Sequence, residues 1–137
     1  MRIVIDTNVL ISAIFWTGKP KQLLNRVRHQ EITFLTSDRL LNELKEILMR
    51  PEKPFHLSDG EAGQVVETMR GLAEVVETPS RVTACHDELD NEVLACALDG
   101  KAECIVSGDM HLLGLGSFKG IRIVTVSDFL GQSEQRR

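Results

Sequence analysis

Two patterns of apolar residues alternate along the chain. The first is a short continuous run of apolar, often β-branched residues, which is typical of strands buried on both faces of a parallel sheet. Runs of this kind predict five strands, at residues 3–5, 32–36, 74–77, 104–107 and 121–126.

The second pattern places apolar residues three and four positions apart, as amphipathic helices do. Polar residues that can cap a helix precede most of these segments. Helices are predicted to begin at such residues at 6–8, 37, 58, 89–91 and 128–130. A further helix carries Leu23, Leu24 and Val27. Glycine or proline should end the helices at 17–20, 51–54 and 99–100.

Strands therefore alternate with helices along all 137 residues. This order predicts a three-layer α/β/α sandwich with a central parallel sheet. A chain of this length can build one self-supporting core. We therefore expect a single domain at residues 1–131, followed by a frayed polar tail at 132–137.

Composition narrows the class of protein further. Hydrophobic residues make up 42% of the chain and charged residues 26%, which excludes an intrinsically disordered protein. The longest apolar stretch, at 9–16, is well short of the roughly 18 residues of a membrane-spanning helix. No secretory signal precedes the first strand, and the three cysteines form no C-x-x-C pair. We expect a cytoplasmic protein with buried thiols and no membrane contact.

Acidic residues lie close to the carboxyl ends of the predicted strands. Asp6 directly follows the first strand, and Asp109 follows the strand at 104–107 after one glycine. Glu43 and Asp90 lie in the first turns of helices that should begin near the same edge. Since open parallel sheets bind ligands at this edge, we expect the four carboxylates to converge there.

Each acid also has a purely structural interpretation. Asp6 and Asp90 can cap helices, and Asp109 can occupy a turn. Glu43 is harder to explain in this way, because a helical projection places it beside the apolar stripe of its helix. A carboxylate in that position needs a partner.

Converging carboxylates repel one another unless a cation lies between them. Mg²⁺ and Mn²⁺ are suitable cations because they prefer oxygen ligands. The net charge of −4 argues against a protein held to nucleic acid by bulk positive charge, but it is compatible with a nucleic-acid enzyme that has a metal site. The natural reaction of such a site is phosphodiester hydrolysis.

The order and spacing of these acids resemble the PIN-domain family of metal-dependent ribonucleases, especially the toxins of prokaryotic toxin–antitoxin pairs. The resemblance runs from Arg2 to Leu130 and includes Glu43. It rests further on the segments VIDTNVL at 4–10, DNEVLACA at 90–97 and IVSGDMHLL at 105–113. It implies that the catalytic, metal-binding acids are Asp6, Glu43, Asp90 and Asp109.

The same resemblance implies that Thr7, Asn8 and Ser107 support these acids by hydrogen bonding. It also implies Mg²⁺ or Mn²⁺ as cofactor, an RNA substrate, a cognate antitoxin and a homodimer. Many relatives have threonine where Ser107 stands and aspartate where His111 stands. The missing acid puts a second metal in doubt, and His111 is either a metal or phosphate contact or a partly exposed helical residue.

Other interpretations fit less well. The chain has no G-x-x-x-x-G-K-[ST] phosphate loop and no G-x-S-x-G nucleophile elbow. The adjacent residues Cys85, His86 and Asp87 are not expected to form a metal cluster, since neighbours on a strand point in opposite directions. Two alternatives stay open: an inactive PIN-like binding module in a protein complex, and a metal-dependent phosphohydrolase of another α/β family.

Overall fold

The computed structural model of the chain describes residues 1–135. Six strands and seven helices lie in this part. The strands are β1 (Arg2–Ile5), β2 (Thr33–Thr36), β3 (Glu74–Val75), β4 (Cys104–Val106), β5 (Ser117–Phe118) and β6 (Ile121–Val124). The helices are α1 (Thr7–Phe15), α2 (Lys19–Arg28), α3 (Asp38–Leu48), α4 (Asp59–Leu72), α5 (Glu88–Asp99), α6 (Met110–Leu115) and α7 (Val126–Gln135).

The strands form one sheet in the order β3-β2-β1-β4-β6-β5. All neighbours are parallel except β5 and β6, which form an antiparallel hairpin at the edge. The hairpin turns through Lys119 and Gly120, whose φ angles of 48° and 82° suit a tight two-residue turn. The predicted parallel sheet is confirmed for its five-stranded part, whereas a two-residue strand such as β5 is too short for an alternation pattern to reveal.

Helices cover both faces of the sheet. Ile3 and Ile5 of β1 point into a core formed with α1, α2, α3, α4 and α7. Val4 of the same strand points the opposite way, into a second core formed chiefly with α5 and α6. β1 is therefore apolar at successive positions because both of its faces are buried. The predicted three-layer sandwich is confirmed.

The chain reverses direction across the sheet after β3. It first moves from β1 to β2 and β3, and then returns to β4 on the other side of β1. Connections between parallel strands are right-handed, so the helices before and after this reversal lie on opposite faces. A crevice is expected where they diverge, above the carboxyl ends of β1 and β4.

Three local predictions were wrong. Asp90 does not cap α5; Asp87 does, with its Oδ1 accepting hydrogen bonds from the Leu89 and Asp90 amides at 2.7 and 3.3 Å. The last strand ends at Val124, and α7 begins at Val126 because the Thr125 hydroxyl accepts from the Asp128 amide at 3.1 Å. α7 also continues through the first residues of the predicted tail, whose last two positions, 136–137, lie outside the described residues.

No helix in the described part of the chain is both long and apolar enough to cross a membrane.

Candidate functional site

The four predicted acids lie around the crevice above β1 and β4. Asp6 directly follows β1 and is only 8% exposed. Asp109 follows β4 after Ser107 and Gly108, and Asp90 is in the first turn of α5. The helix α3 begins directly after Ser37, as predicted, so Glu43 is its sixth residue and lies in the second turn instead of the predicted first turn.

Ser107 connects two of these acids. Its hydroxyl donates to Asp6 Oδ2 at 2.7 Å and accepts a hydrogen bond from the Asp109 amide at 3.0 Å. Asp6 occupies the N-cap position of α1, yet its side chain forms no capping hydrogen bond. The capping interpretation of Asp6 is therefore wrong, and its carboxylate is held toward β4 instead.

The Asp109 side chain caps a helix and also lies near two of the other acids. Its Oδ1 caps α6 by accepting from the amides of His111 and Leu112 at 2.8 and 3.0 Å. The side chain is half-buried beside Asp6 and Asp90, with which it interacts electrostatically. Asp109 was expected to occupy a turn if its role was structural, but it caps α6 instead. The cap leaves the second carboxylate oxygen without a partner in the described residues.

Glu43 has the partner that its half-buried position requires. The Thr7 hydroxyl donates to Glu43 Oε2 at 3.0 Å, which joins the start of α1 to α3. Among the three residues expected to support the acids, Thr7 and Ser107 make direct contact with them. Asn8 does not: its side chain is exposed and forms no hydrogen bond within residues 1–135.

Burial and repulsion between acids raise the pKa values of Asp6, Glu43 and Asp90. Burial raises the pKa of Asp6 and of Glu43, and hydrogen bonds from Ser107 and Thr7 oppose these shifts. The pKa of Asp90 rises from 3.8 to about 6, chiefly because of burial and then because of the charges of Asp109, Asp87 and Asp6. No lysine or arginine in the described residues contributes to any of these shifts. The cluster therefore carries excess negative charge at neutral pH.

A family model for the PIN domain matches residues 2–111, a range that contains all four acids. The chain belongs to the PIN domain family. The predicted family is thereby confirmed, and membership excludes the alternative of another α/β phosphohydrolase family. Comparison with curated protein sequences gives no significant match.

Solved structures share the fold of this PIN domain. A chain in the crystal structure of VapBC2 from Rickettsia felis, bound to a DNA fragment from their promoter, matches with a TM-score of 0.64 and 13% identity, over 90% of this chain and 97% of that one. PAE2754 from Pyrobaculum aerophilum matches with a TM-score of 0.62 and 16% identity, over 96% of this chain and 87% of that one. The PIN domain of human SMG5 matches with a TM-score of 0.51 and 14% identity, over 96% of this chain and 98% of that one. At such identities the similarity shows the fold alone.

Asp87 is a site residue that the sequence did not reveal. Its charge contributes to the raised pKa values of Asp6, Glu43 and Asp90, so it belongs to the same electrostatic cluster. Residues 85–87 were expected to lie on a strand, but this segment has no strand in the structure. The available signal was the spacing to Asp90, since an acid three residues before another at a helix start is typical of an N-cap.

A cavity of about 300 Å³ opens beside the cluster. Asp87, Asp90 and Asp109 line it, together with Cys85 and His111. Cys85 is half-buried, unlike the buried thiols expected, and burial together with the charge of Asp90 raises the pKa of its thiol. A neutral thiol is a poor nucleophile, so the carboxylates dominate the chemistry of this cavity.

His111 is exposed in the first turn of α6, which agrees with the prediction of a partly exposed helical residue. Its charge lowers the pKa of Asp90 and so opposes the repulsion among the acids.

The donor set suits a hydrated hard cation. All four predicted ligands are carboxylates, and no three acidic, histidine or cysteine side chains in the described residues converge closely enough to enclose a metal ion by themselves. Mg²⁺ commonly keeps several waters and binds through one or two carboxylates plus substrate phosphates. The site of this PIN domain fits that mode of binding, and it does not fit a closed cage such as structural zinc requires.

Proposed function

We propose that this PIN domain is a metal-dependent endoribonuclease that hydrolyses RNA phosphodiester bonds. PIN domains are typically nucleases. The observation that carries the proposal is the cluster of Asp6, Glu43, Asp90 and Asp109, which come from four separate segments. Burial and repulsion between acids raise the pKa values of Asp6, Glu43 and Asp90, and no described lysine or arginine contributes to these shifts. Such a cluster destabilises the fold unless a cation binds there.

Asp6, Glu43, Asp90 and Asp109 would hold Mg²⁺ or Mn²⁺. The bound cation would neutralise charge on the phosphate and make a water molecule more acidic, so that water attacks phosphorus without a covalent enzyme intermediate. Ser107 keeps the Asp6 carboxylate directed toward β4, and Thr7 holds the Glu43 carboxylate near the start of α1. Both hydroxyls fix their carboxylates before a ligand arrives, which reduces the cost of ordering them.

We infer further that the protein is the toxin of a toxin–antitoxin pair, with a cognate antitoxin as partner and a homodimer as resting form. The fold similarity to a chain of VapBC2 supports this inference. Light scattering of the protein, alone and co-expressed with the product of the neighbouring gene, tests both the partner and the dimer. A monomer that forms no complex would contradict them.

RNA cleavage with and without Mn²⁺ tests the nuclease itself. Wild-type protein should cleave structured RNA with Mn²⁺ and lose activity in EDTA. Asp6→Asn and Asp109→Asn should each lower the rate by roughly a hundredfold or more, as expected when electrostatic stabilisation of the transition state is removed. Glu103→Gln is a matched control, because Glu103 is an exposed acid that precedes β4, at the opposite edge of the sheet.

One observation favours a second candidate, the inactive binding module in a protein complex. The described residues contain no group of three acidic, histidine or cysteine side chains close enough to hold a metal ion by themselves. Full cleavage by both aspartate variants, or no cleavage by wild type with Mn²⁺, would reject the nuclease. Partner binding that is equal in wild type and in Asp6→Asn would then support the binding module.

A further inference from the structure

A second and larger cavity also has Asp109 in its lining. Its volume is about 520 Å³, within the range of small-molecule sites. Its walls come from α1, from the segment after β4 and from the start of α6. They include Asn8, Val9, Ser12, Gly108, Met110 and His111. Asp109 and His111 line both cavities, so this space adjoins the acid cluster without containing Asp6 or Glu43.

Two polar side chains in this cavity have no partner in the part of the chain that the structure describes. Asn8 and Ser12 are four residues apart in α1 and therefore lie on the same face of the helix. Neither the Asn8 amide nor the Ser12 hydroxyl forms a hydrogen bond with another described residue. Together they offer donors and acceptors to a planar polar edge, as amide and hydroxyl side chains do when they bind a nucleobase.

The part of the lining at the start of α6 is exposed. Met110 is 80% exposed at the first position of α6, although most methionines are buried. Its thioether can pack against an aromatic ring, and the exposed imidazole of His111 beside it can stack on a base. A flat ring with a hydrogen-bonding edge is the ligand that suits both parts of the lining.

The cavity is also open at its back. Apart from Gly108 and its two chain neighbours, no described residue has a heavy atom within 4 Å of the place where a side chain at Gly108 would begin, and the backbone there does not require glycine. No lysine or arginine between residues 1 and 135 lines the space, and Asp109 adds a negative charge. These features disfavour a phosphate and favour a neutral ring.

We propose that this cavity binds one unpaired base of the RNA, next to the phosphate that is cleaved. The proposal rests on the proposed nuclease function and adds to it a subsite for one base, lined by Asn8, Ser12 and Met110. Proteins recognise RNA sequence mainly through such splayed bases, stacked on side chains and hydrogen-bonded at their edges. Ser12 and Met110 are then specificity-determining residues of the reaction.

Cleavage of RNA oligonucleotides that carry one abasic nucleotide at successive positions tests the proposal. One position should matter more than its neighbours: its abasic substrate should lower kcat/KM roughly tenfold, as expected when one stacked base is lost. Ser12→Phe fills the cavity, so intact and abasic RNA should then be cut at nearly equal rates. Met110→Ala changes an exposed residue, so it should reduce the difference in kcat/KM between intact and abasic RNA without affecting folding.

Leu115→Ala is the matched control, because Leu115 is an exposed apolar residue of α6 that lines the other cavity. In Leu115→Ala, the abasic nucleotide should lower kcat/KM as much as it does in wild type. Equal rates for all abasic substrates with wild type, or an unchanged penalty in Ser12→Phe and Met110→Ala, would overturn the proposal and leave the nuclease function intact.

Nucleoside binding separates the two proposals if no RNA is cleaved. Adenosine, guanosine, cytidine and uridine are added to the ¹⁵N- and methyl-labelled protein, and NMR shifts of the Ser12 amide and the Met110 methyl group are followed. Shifts of the Met110 methyl group that disappear in Ser12→Phe would support the base site even for a protein that cleaves nothing. In a protein that cleaves nothing, the absence of such shifts with all four nucleosides would overturn the base site as well.

Discussion

Asp6 is a buried carboxylate whose direct partner is a neutral hydroxyl. Its hydrogen bond from Ser107 favours the charged form, but burial opposes it more strongly, so its pKa is raised. Ser107 is itself completely buried. Threonine, which many relatives have at this position, would keep the hydroxyl, whereas alanine would leave the carboxylate without its donor.

Asp90 predicts how stability depends on pH in the metal-free protein. Its pKa rises from 3.8 to about 6 on folding, so the folded state binds more protons than the unfolded state between these values. The contribution of Asp90 to stability is therefore fully present below pH 4 and is lost as pH rises through about 6. Asp90→Asn should raise the melting temperature in EDTA more at pH 7 than at pH 5.

Thermal unfolding of wild type and variant at the two pH values measures this difference. Glu103→Gln should shift the melting temperature equally at both, since Glu103 is exposed and outside the cluster. An Asp90→Asn effect that is larger at pH 5 would mean that folding lowers the pKa of Asp90 instead of raising it.

At the scale of elements, the start of α5 serves two purposes. Asp87 caps the helix by accepting from two backbone amides, and the same carboxylate repels Asp6, Glu43 and Asp90. Capping stabilises the helix, whereas the repulsion destabilises the metal-free fold. The two effects can be separated because asparagine caps a helix nearly as well as aspartate does.

Asp87→Ala should lower the free energy of unfolding by about 1 kcal/mol through loss of the cap. Asp87→Asn should keep the cap, remove the repulsion, and be as stable as wild type or more so. Urea denaturation in EDTA measures both. Equal destabilisation by the two substitutions would show that the charge of Asp87 stabilises the fold, contrary to a repulsive role.

At the scale of the whole molecule, the strand order brings distant segments together. Ile3 in β1 pairs with Cys104 in β4, and the Asp6 amide donates to the Val106 carbonyl at 2.9 Å. Residues about 100 positions apart thus meet above the centre of the sheet. A ligand that binds there contacts both halves of the chain and should stabilise the whole fold.

Mn²⁺ at millimolar concentration should therefore raise the melting temperature of wild type by several degrees, since a ligand at a hundred times its Kd contributes about 2.7 kcal/mol. Asp6→Asn/Asp109→Asn should melt higher than wild type without metal, because repulsion is relieved, and should not respond to Mn²⁺. Differential scanning calorimetry with Glu103→Gln as control measures this. A double variant that responds like wild type would place the metal elsewhere.

The sequence by itself determined the alternation of strands and helices, because apolar periodicity and capping depend on residues close together in the chain. It also placed Asp6 and Asp109 at one edge of the sheet, since carboxyl ends of parallel strands share an edge. The four-acid metal site is still a prediction, although the structure gathers its members around one crevice.

Only the tertiary structure decided which side chains meet. It joined Asp87 to the acids, gave Glu43 its bond from Thr7, and left Asn8 facing a second cavity. Contacts between segments far apart in the chain depend on strand order and on how helices pack across the sheet. Local patterns of apolar and polar residues do not contain that information, because many packings are compatible with one pattern.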